Sequence, residues 1–87
     1  MTLHPPAVTI TSLNELVPGQ VATILRVRGP AAARRRMLEM GFVRGETITM
    51  ERCAPLGDPV EYFIKGYYLS LRRHDAANVD VEVVSQP

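Results

Sequence analysis

From Val21 the chain alternates: Val21, Thr23, Leu25 and Val27 fall on one face of an extended segment, and Ala22, Ile24, Arg26 and Arg28 on the other. Period two predicts a strand over Val21–Arg28, which Gly29 breaks. Pro30 then opens a helical stretch at a position where its missing N–H costs nothing. Ala33, Met37 and Met40 recur at helical spacing, with Arg34, Arg35 and Glu39 left for the outer side. The pattern predicts a helix over Ala31–Met40, ended by Gly41 as a left-handed cap with Phe42 folded back over the last turn. A helix of about ten residues is marginal alone, so it must pack on a sheet.

After Phe42 period two returns. Val43-Arg44-Gly45 reads as a turn and Thr47–Cys53 as a strand. Ala54-Pro55-Leu56-Gly57-Asp58-Pro59 reads as a stiff loop, because each proline drives the residue before it to an extended shape. Val60–Ile64 and Tyr67–Leu71 are strands around a Lys65-Gly66 hairpin connection. A turn over Arg72–Asn78, with room for one helical turn, leads to a last strand Val79–Val84. Upstream, Met1–Val8 carries two adjacent prolines and no periodicity, so it is expected to be a flexible lead-in. Ser12–Leu16 is a short turn ended by Pro18-Gly19. The folded domain is therefore placed over residues 9–84. Five short strands and one inserted helix predict a mainly β fold, a small barrel that closes to remove its edges.

The hairpin connection fixes a register. With two residues in the loop, Ile64 lies opposite Tyr67, Phe63 opposite Tyr68, Tyr62 opposite Leu69, and Val60 opposite Leu71. Alternation then assigns Val60, Tyr62, Ile64, Tyr67, Leu69 and Leu71 to the core and turns Glu61, Phe63, Tyr68 and Ser70 outward. Phe63 and Tyr68 become an outward cross-strand aromatic pair. Two readings stand: local packing of the hairpin, or an anchor for a partner or a second copy of the chain.

The 87 residues make one domain with a modest core, which weighs against a deep catalytic cleft. Apolar residues are 46% and charged residues 22%, so wholesale disorder is excluded. The longest apolar runs are three residues, far short of the ~20 a spanning helix needs. No secretory signal is visible and a single Cys53 allows no internal disulfide, so a cytoplasmic domain held by packing alone is expected. Net charge is only +1, but its distribution is uneven. Arg26, Arg28, Arg34, Arg35 and Arg36 crowd together, and no acid occurs from Leu16 to Leu38. The cluster is either a solvated face or a docking surface for an acidic or phosphate-bearing partner.

Catalytic and metal chemistry find little support. Cys53, His4 and His74 lie far apart in sequence, without CxxC or HxxxH spacing, so no metal site and no cofactor are expected. Cys53 and His74 remain weak candidates for metal-bridged contacts between molecules. Cys53 with His74 has no visible third group to orient a nucleophile. No phosphate-binding glycine loop is present. Nucleic-acid binding would need basic residues interleaved with exposed aromatics, whereas the arginines lie far from Tyr62, Phe63, Tyr67 and Tyr68 and only one Lys occurs. The chain is expected to bind no nucleic acid, not to insert into a membrane and to be no enzyme.

The most specific features are three segments taken together: Arg36-Met37-Leu38-Glu39-Met40-Gly41-Phe42-Val43-Arg44-Gly45, then Ala54 to Pro59, then Gly66-Tyr67-Tyr68-Leu69-Ser70-Leu71-Arg72-Arg73. They resemble the FeoA family, small cytoplasmic proteins of bacterial ferrous iron transport, and the likeness runs from Leu13 to Val84. Met37-Leu38 replaces the usual "RL", and Arg44 the proline common before the glycine. The resemblance implies an SH3-like barrel with an inserted helix. It also implies a partner, FeoB, a membrane transporter with a cytoplasmic GTPase region, regulated by binding; the domain would then sit beside the inner membrane through that partner. Partner-binding candidates are Arg34, Arg35, Arg36, Leu56, Gly57, Asp58, Phe63 and Tyr68, with weak self-association as a further option. Gly41, Gly45, Pro55, Pro59, Leu71 and Arg72 are assigned structural roles. Asp58 is expected to cap its own turn with its side chain. The alternatives are a metal-sensing barrel akin to the C-terminal domain of DtxR-type repressors, and a nucleic-acid-binding barrel.

Overall fold

The computed structural model describes residues 7–85. Six strands run β1 (Ala7–Ser12), β2 (Val21–Val27), β3 (Thr47–Cys53), β4 (Val60–Ile64), β5 (Tyr67–Leu71) and β6 (Val79–Ser85). A 3-10 turn at Leu13–Glu15 follows β1, helix α1 (Ala31–Glu39) follows β2, and the short helix α2 (Arg73–Ala76) follows β5. All pairs are antiparallel, in the order β1-β6-β2-β3-β4-β5.

The sixth strand, β1, is the main departure from the sequence reading. It begins two residues inside the expected lead-in; the rest of that stretch, Met1–Pro6, lies outside the described residues. Its apolar side chains face out, with Val8 55% and Ile10 69% exposed. A strand that buries little apolar surface leaves no core signal in the pattern. The mainly β architecture with one inserted helix is as expected, and among the described residues the strand order leaves β1 and β5 as its outer strands.

Two bulges bend the sheet around one core. In β2 the register shifts between Ile24 and Arg26, so Ala22 and Ile24 are buried and Val27 packs inward beyond the shift. Val21, Thr23, Leu25 and Val27 therefore do not share a single face, because a bulge inserts one residue and re-aims those after it. A second shift between Met50 and Arg52 sets Arg52 opposite Glu61. The core joins Leu13 and Leu16 to Ile24, Ile48, Met50, Val60, Tyr62, Ile64, Leu71, Val79 and Val81. Met37 and Phe42 cover it from α1 and the turn beyond.

Helix α1 has Pro30 as its N-cap, one position earlier than expected, and Met40 as its C-cap. The amides of Gly41 and Phe42 bond back to Leu38 and Met37 at 3.0 and 3.1 Å. Gly41 has φ of +102°, and a Cβ there would come within 3.2 Å of Lys65 Cδ. The positive φ calls for glycine, and a side chain there would also have to displace the Lys65 stem by a few tenths of an ångström.

Candidate partner-binding surfaces

Three surfaces carry the candidate residues. The first is α1. Arg34, Arg35 and Arg36 are all exposed, and none has an ion-pair partner among the described residues. Spacing puts Ala31, Arg34, Arg35 and Leu38 on one helical stripe, and Leu38 is 50% exposed. Arg26 and Arg28 differ. Both reach Asp80, at 2.6 and 3.0 Å, and Arg28 Nη2 also donates to the Ala77 carbonyl at 2.8 Å. Hydrogen bonds from Arg28 and then Arg26 hold the Asp80 carboxyl below its ordinary value. The unpaired basic surface is therefore narrower than the sequence cluster: three arginines on a helix, not five.

The second surface is the loop from Ala54 to Pro59. Its backbone closes on itself, Ala54 N to Pro59 O at 2.9 Å and Gly57 N to Ala54 O at 2.7 Å. Leu56 stands at its tip, 97% exposed. Asp58 does not cap its own turn. Its Oδ1 accepts from the backbone N–H of Arg73 at 3.0 Å and caps α2 instead. The Arg73 guanidinium donates to the Gly57 carbonyl and, at 3.2 Å, to the Asn14 carbonyl. Arg72 has an exposed side chain and is the N-cap of α2, its carbonyl accepting from Asp75 and Ala76 N–H at 3.0 Å each, while the Arg73 side chain ties loop and 3-10 turn together. The adjacent Arg72-Arg73 pair gave no sign of which one turned inward. Leu71 is buried in the core.

Tyr62 is a polar core residue that the pattern treated as merely apolar. Its hydroxyl donates to the Leu13 carbonyl at 3.4 Å. Burial pushes its pKa up to about 12, with the Arg73 charge acting weakly the other way.

The third surface is the outer face of the hairpin. The register matches the expectation at every pair from Val60–Leu71 to Ile64–Tyr67. Phe63 and Tyr68 meet with ring centroids 4.9 Å apart at 53°; Phe63 is half-buried and Tyr68 62% exposed. Cross-strand pairing extends the row through Thr49 to Val21. A shallow depression beside it is lined by Glu51, Arg52, Glu61 and Tyr68. Tyr67, expected in the core, is 43% exposed. Its ring leaves the barrel end so that the hydroxyl can donate to the Met40 carbonyl and cap α1.

Cys53 is exposed at the end of β3, beside Ala54, Pro55, Pro59, Glu61 and Ser70. His74 lies in α2 with Nε2 3.2 Å from Asp75 Oδ1. His4 lies outside the described residues. Among the described residues no three His, Cys, Asp or Glu side chains are grouped to hold a metal ion, and no helix is long and apolar enough to cross a membrane.

The fold and these surfaces define a small SH3-like β domain that presents a basic helix, a braced loop and an aromatic hairpin. Residues 11–83 match the FeoA domain, and the chain belongs to that family. It is 56% identical over 73 residues to a Fe(2+) transport protein A/Fe(2+) transporter FeoB fusion protein of Porphyromonas gingivalis. That alignment takes in 84% of this chain but 9% of the relative, so the chain spans a small part of that protein. The FeoA-like protein of Clostridium acetobutylicum superposes with a TM-score of 0.81 at 32% identity, covering 98% of this chain and 94% of that one. The zinc complex of Stenotrophomonas maltophilia FeoA, described as an SH3 domain protein, gives 0.70 at 30% identity, covering 86% and 89%. A manganese-dependent transcriptional repressor shares the fold alone, at 16% identity and a TM-score of 0.76.

Proposed function

We propose that this domain is a non-enzymatic regulator of ferrous iron uptake that docks on the cytoplasmic GTPase-bearing region of a FeoB-type transporter. The observation that carries the reading is the 56% identical relative in which the same domain is fused to an Fe(2+) transporter. Fusion places two partners at high effective concentration, which selection keeps when the two work together. Arg34, Arg35 and Arg36, exposed and without an ion-pair partner among the described residues, supply the docking face, and the loop braced by Arg73 holds Leu56 out as a preorganised contact.

The test is direct binding of the purified chain to the GTPase region and to the full-length transporter of its own organism, with and without GTP. The expected result is saturable binding and an altered GTP hydrolysis rate. Absence of binding to both preparations in every nucleotide state overturns the reading.

A further inference from the structure

β5 is a sheet edge, paired with β4 alone among the described residues. Natural edges are blunted by charge, proline or bulges. The five residues Tyr67-Tyr68-Leu69-Ser70-Leu71 contain no charge and no proline, and their pairing with β4 is unbroken. The other edge is different. β1 is preceded by Pro5-Pro6, and proline beside an edge strand is one of these blunting devices.

The parity of β5 follows from its turn. Lys65 and Gly66 have φ of 53° and 84°, the two positive values of a type I′ loop. Such a loop closes on a hydrogen-bonded pair, here Ile64 and Tyr67, and bonded pairs alternate from there. Tyr67, Leu69 and Leu71 therefore spend their backbone groups on β4. Tyr68 and Ser70 turn theirs to the open edge. Phe63–Tyr68 is then a close, non-bonded pair, in keeping with the 4.9 Å between its rings.

We propose that the open edge of β5 recognises a second copy of this chain, whose β5 pairs with it antiparallel across a two-fold axis at Leu69. Every position then meets a compatible one. Tyr68 faces Ser70 of the second copy and Ser70 faces its Tyr68, giving two bonded pairs and four backbone hydrogen bonds. Leu69 faces Leu69, and Tyr67 faces Leu71. On the outer face the row Val21–Thr49–Phe63–Tyr68 runs on to Ser70 and Glu61 of the other sheet, placing a carboxylate where the Tyr68 hydroxyl can donate. Lys65 does not oppose the approach of Arg72, because its Nζ is held by Glu46 at 3.3 Å and its stem lies against Gly41. The strand is short, so the contact falls in the small, weak class of interfaces.

The test uses the register. In Tyr68→Lys/Ser70→Lys each lysine meets a lysine across the axis; in Tyr68→Glu/Ser70→Lys each glutamate meets a lysine. Both sites are exposed, so the hairpin core is untouched. Sedimentation and amide chemical shifts are followed from about 20 μM to about 1 mM chain, the range in which a weak dimer forms. The wild type is expected to dimerise with concentration-dependent shifts centred on Tyr68 and Ser70. The double-lysine variant is expected to associate at least about tenfold more weakly, as like charges directly opposite demand, and the Glu/Lys variant to recover. A wild type monomeric throughout overturns the proposal, as do shifts centred on β1 or α1, or a double-lysine variant that associates like the wild type. Should the lysine variant fail to fold, the site of the wild-type shifts decides.

Discussion

The backbone N–H of Arg73 donates to Asp58 Oδ1 at 3.0 Å, so a loop between two strands supplies the cap of a helix 15 residues further on. The Arg73 side chain returns the contact by donating to Gly57 O, and reaches past it to Asn14 O. The exchange makes loop and helix one unit. Asp58→Ala removes a cap and is expected to cost about 1 kcal/mol, whereas Asp58→Asn keeps the acceptor oxygen and loses a few tenths. Arg73→Ala strips the donor from two carbonyls and is expected to cost about 1–3 kcal/mol. Urea midpoints of the three variants check the order. An Arg73→Ala variant as stable as the wild type would show that the side-chain tie holds nothing.

The hairpin was legible to the residue because two constraints agree there: a two-residue connection sets the register, and alternation sets the faces. β1 was harder to read for the opposite reason: Val8-Thr9-Ile10-Thr11 alternates, but Val8 and Ile10 point away from the core, so the alternation names no buried face. β2 shows a subtler failure. One inserted residue at its bulge exchanges the faces, and nothing in Leu25-Arg26 marks the insertion. At the candidate site, the crowding of arginines in sequence could not separate free from paired ones. The partner of Arg26 is 54 residues away, and only the pairing of β2 with β6 brings Asp80 to it.

Tyr62 gives an alkaline prediction. Its folded pKa is raised from 10.0 to about 12 by burial, so the neutral phenol is the form the fold accepts. Stability linked to this group is full below pH 10, and is lost as pH rises from 10 towards 12, because the unfolded chain ionises first. Tyr62→Phe keeps the ring and gives up only a long hydrogen bond to Leu13, expected to cost about 1 kcal/mol or less at pH 7. Its advantage should appear above pH 10, where the gap to wild type narrows or reverses. Denaturant midpoints at pH 7 and pH 11 measure this, and an unchanged gap would place the hydroxyl in water rather than in the core.

Asp80 gives the acid counterpart. Its folded pKa is lowered by Arg28 and Arg26, so the ionised carboxylate is the stabilising form. That contribution is present above the ordinary value of 3.8. It declines as pH falls below that value and is gone under the depressed folded one. The Arg26 and Arg28 side chains are 70% and 43% exposed, which screens the pair and keeps its worth near or below about 1 kcal/mol. Asp80→Asn should therefore be modestly less stable than wild type at pH 7, with the gap narrowing as pH falls below 3.8, by thermal unfolding at fixed ionic strength. A gap that does not narrow as pH falls below 3.8 would assign the effect to packing of β6.

The arginines of α1 predict a kinetic signature. Arg34, Arg35 and Arg36 are exposed and have no acid to neutralise them among the described residues, so their field reaches into solvent. Charges of this kind steer encounter more than they hold a complex together. Changing all three to Gln is expected to slow association with the transporter's GTPase region by about tenfold at low salt, with dissociation changed far less. Raising the ionic strength from about 0.05 M to about 0.5 M should erase most of the difference between wild type and variant, as screening shortens the reach of the field to a few ångströms. The fold should be unaffected, since Met37 and Met40 anchor the helix from its other face. Surface-immobilised binding kinetics at several salt concentrations separate the two rates. Equal association rates for wild type and variant at low salt would return these arginines to an ordinary solvated helix face, and docking would then rest on Leu56 and the hairpin.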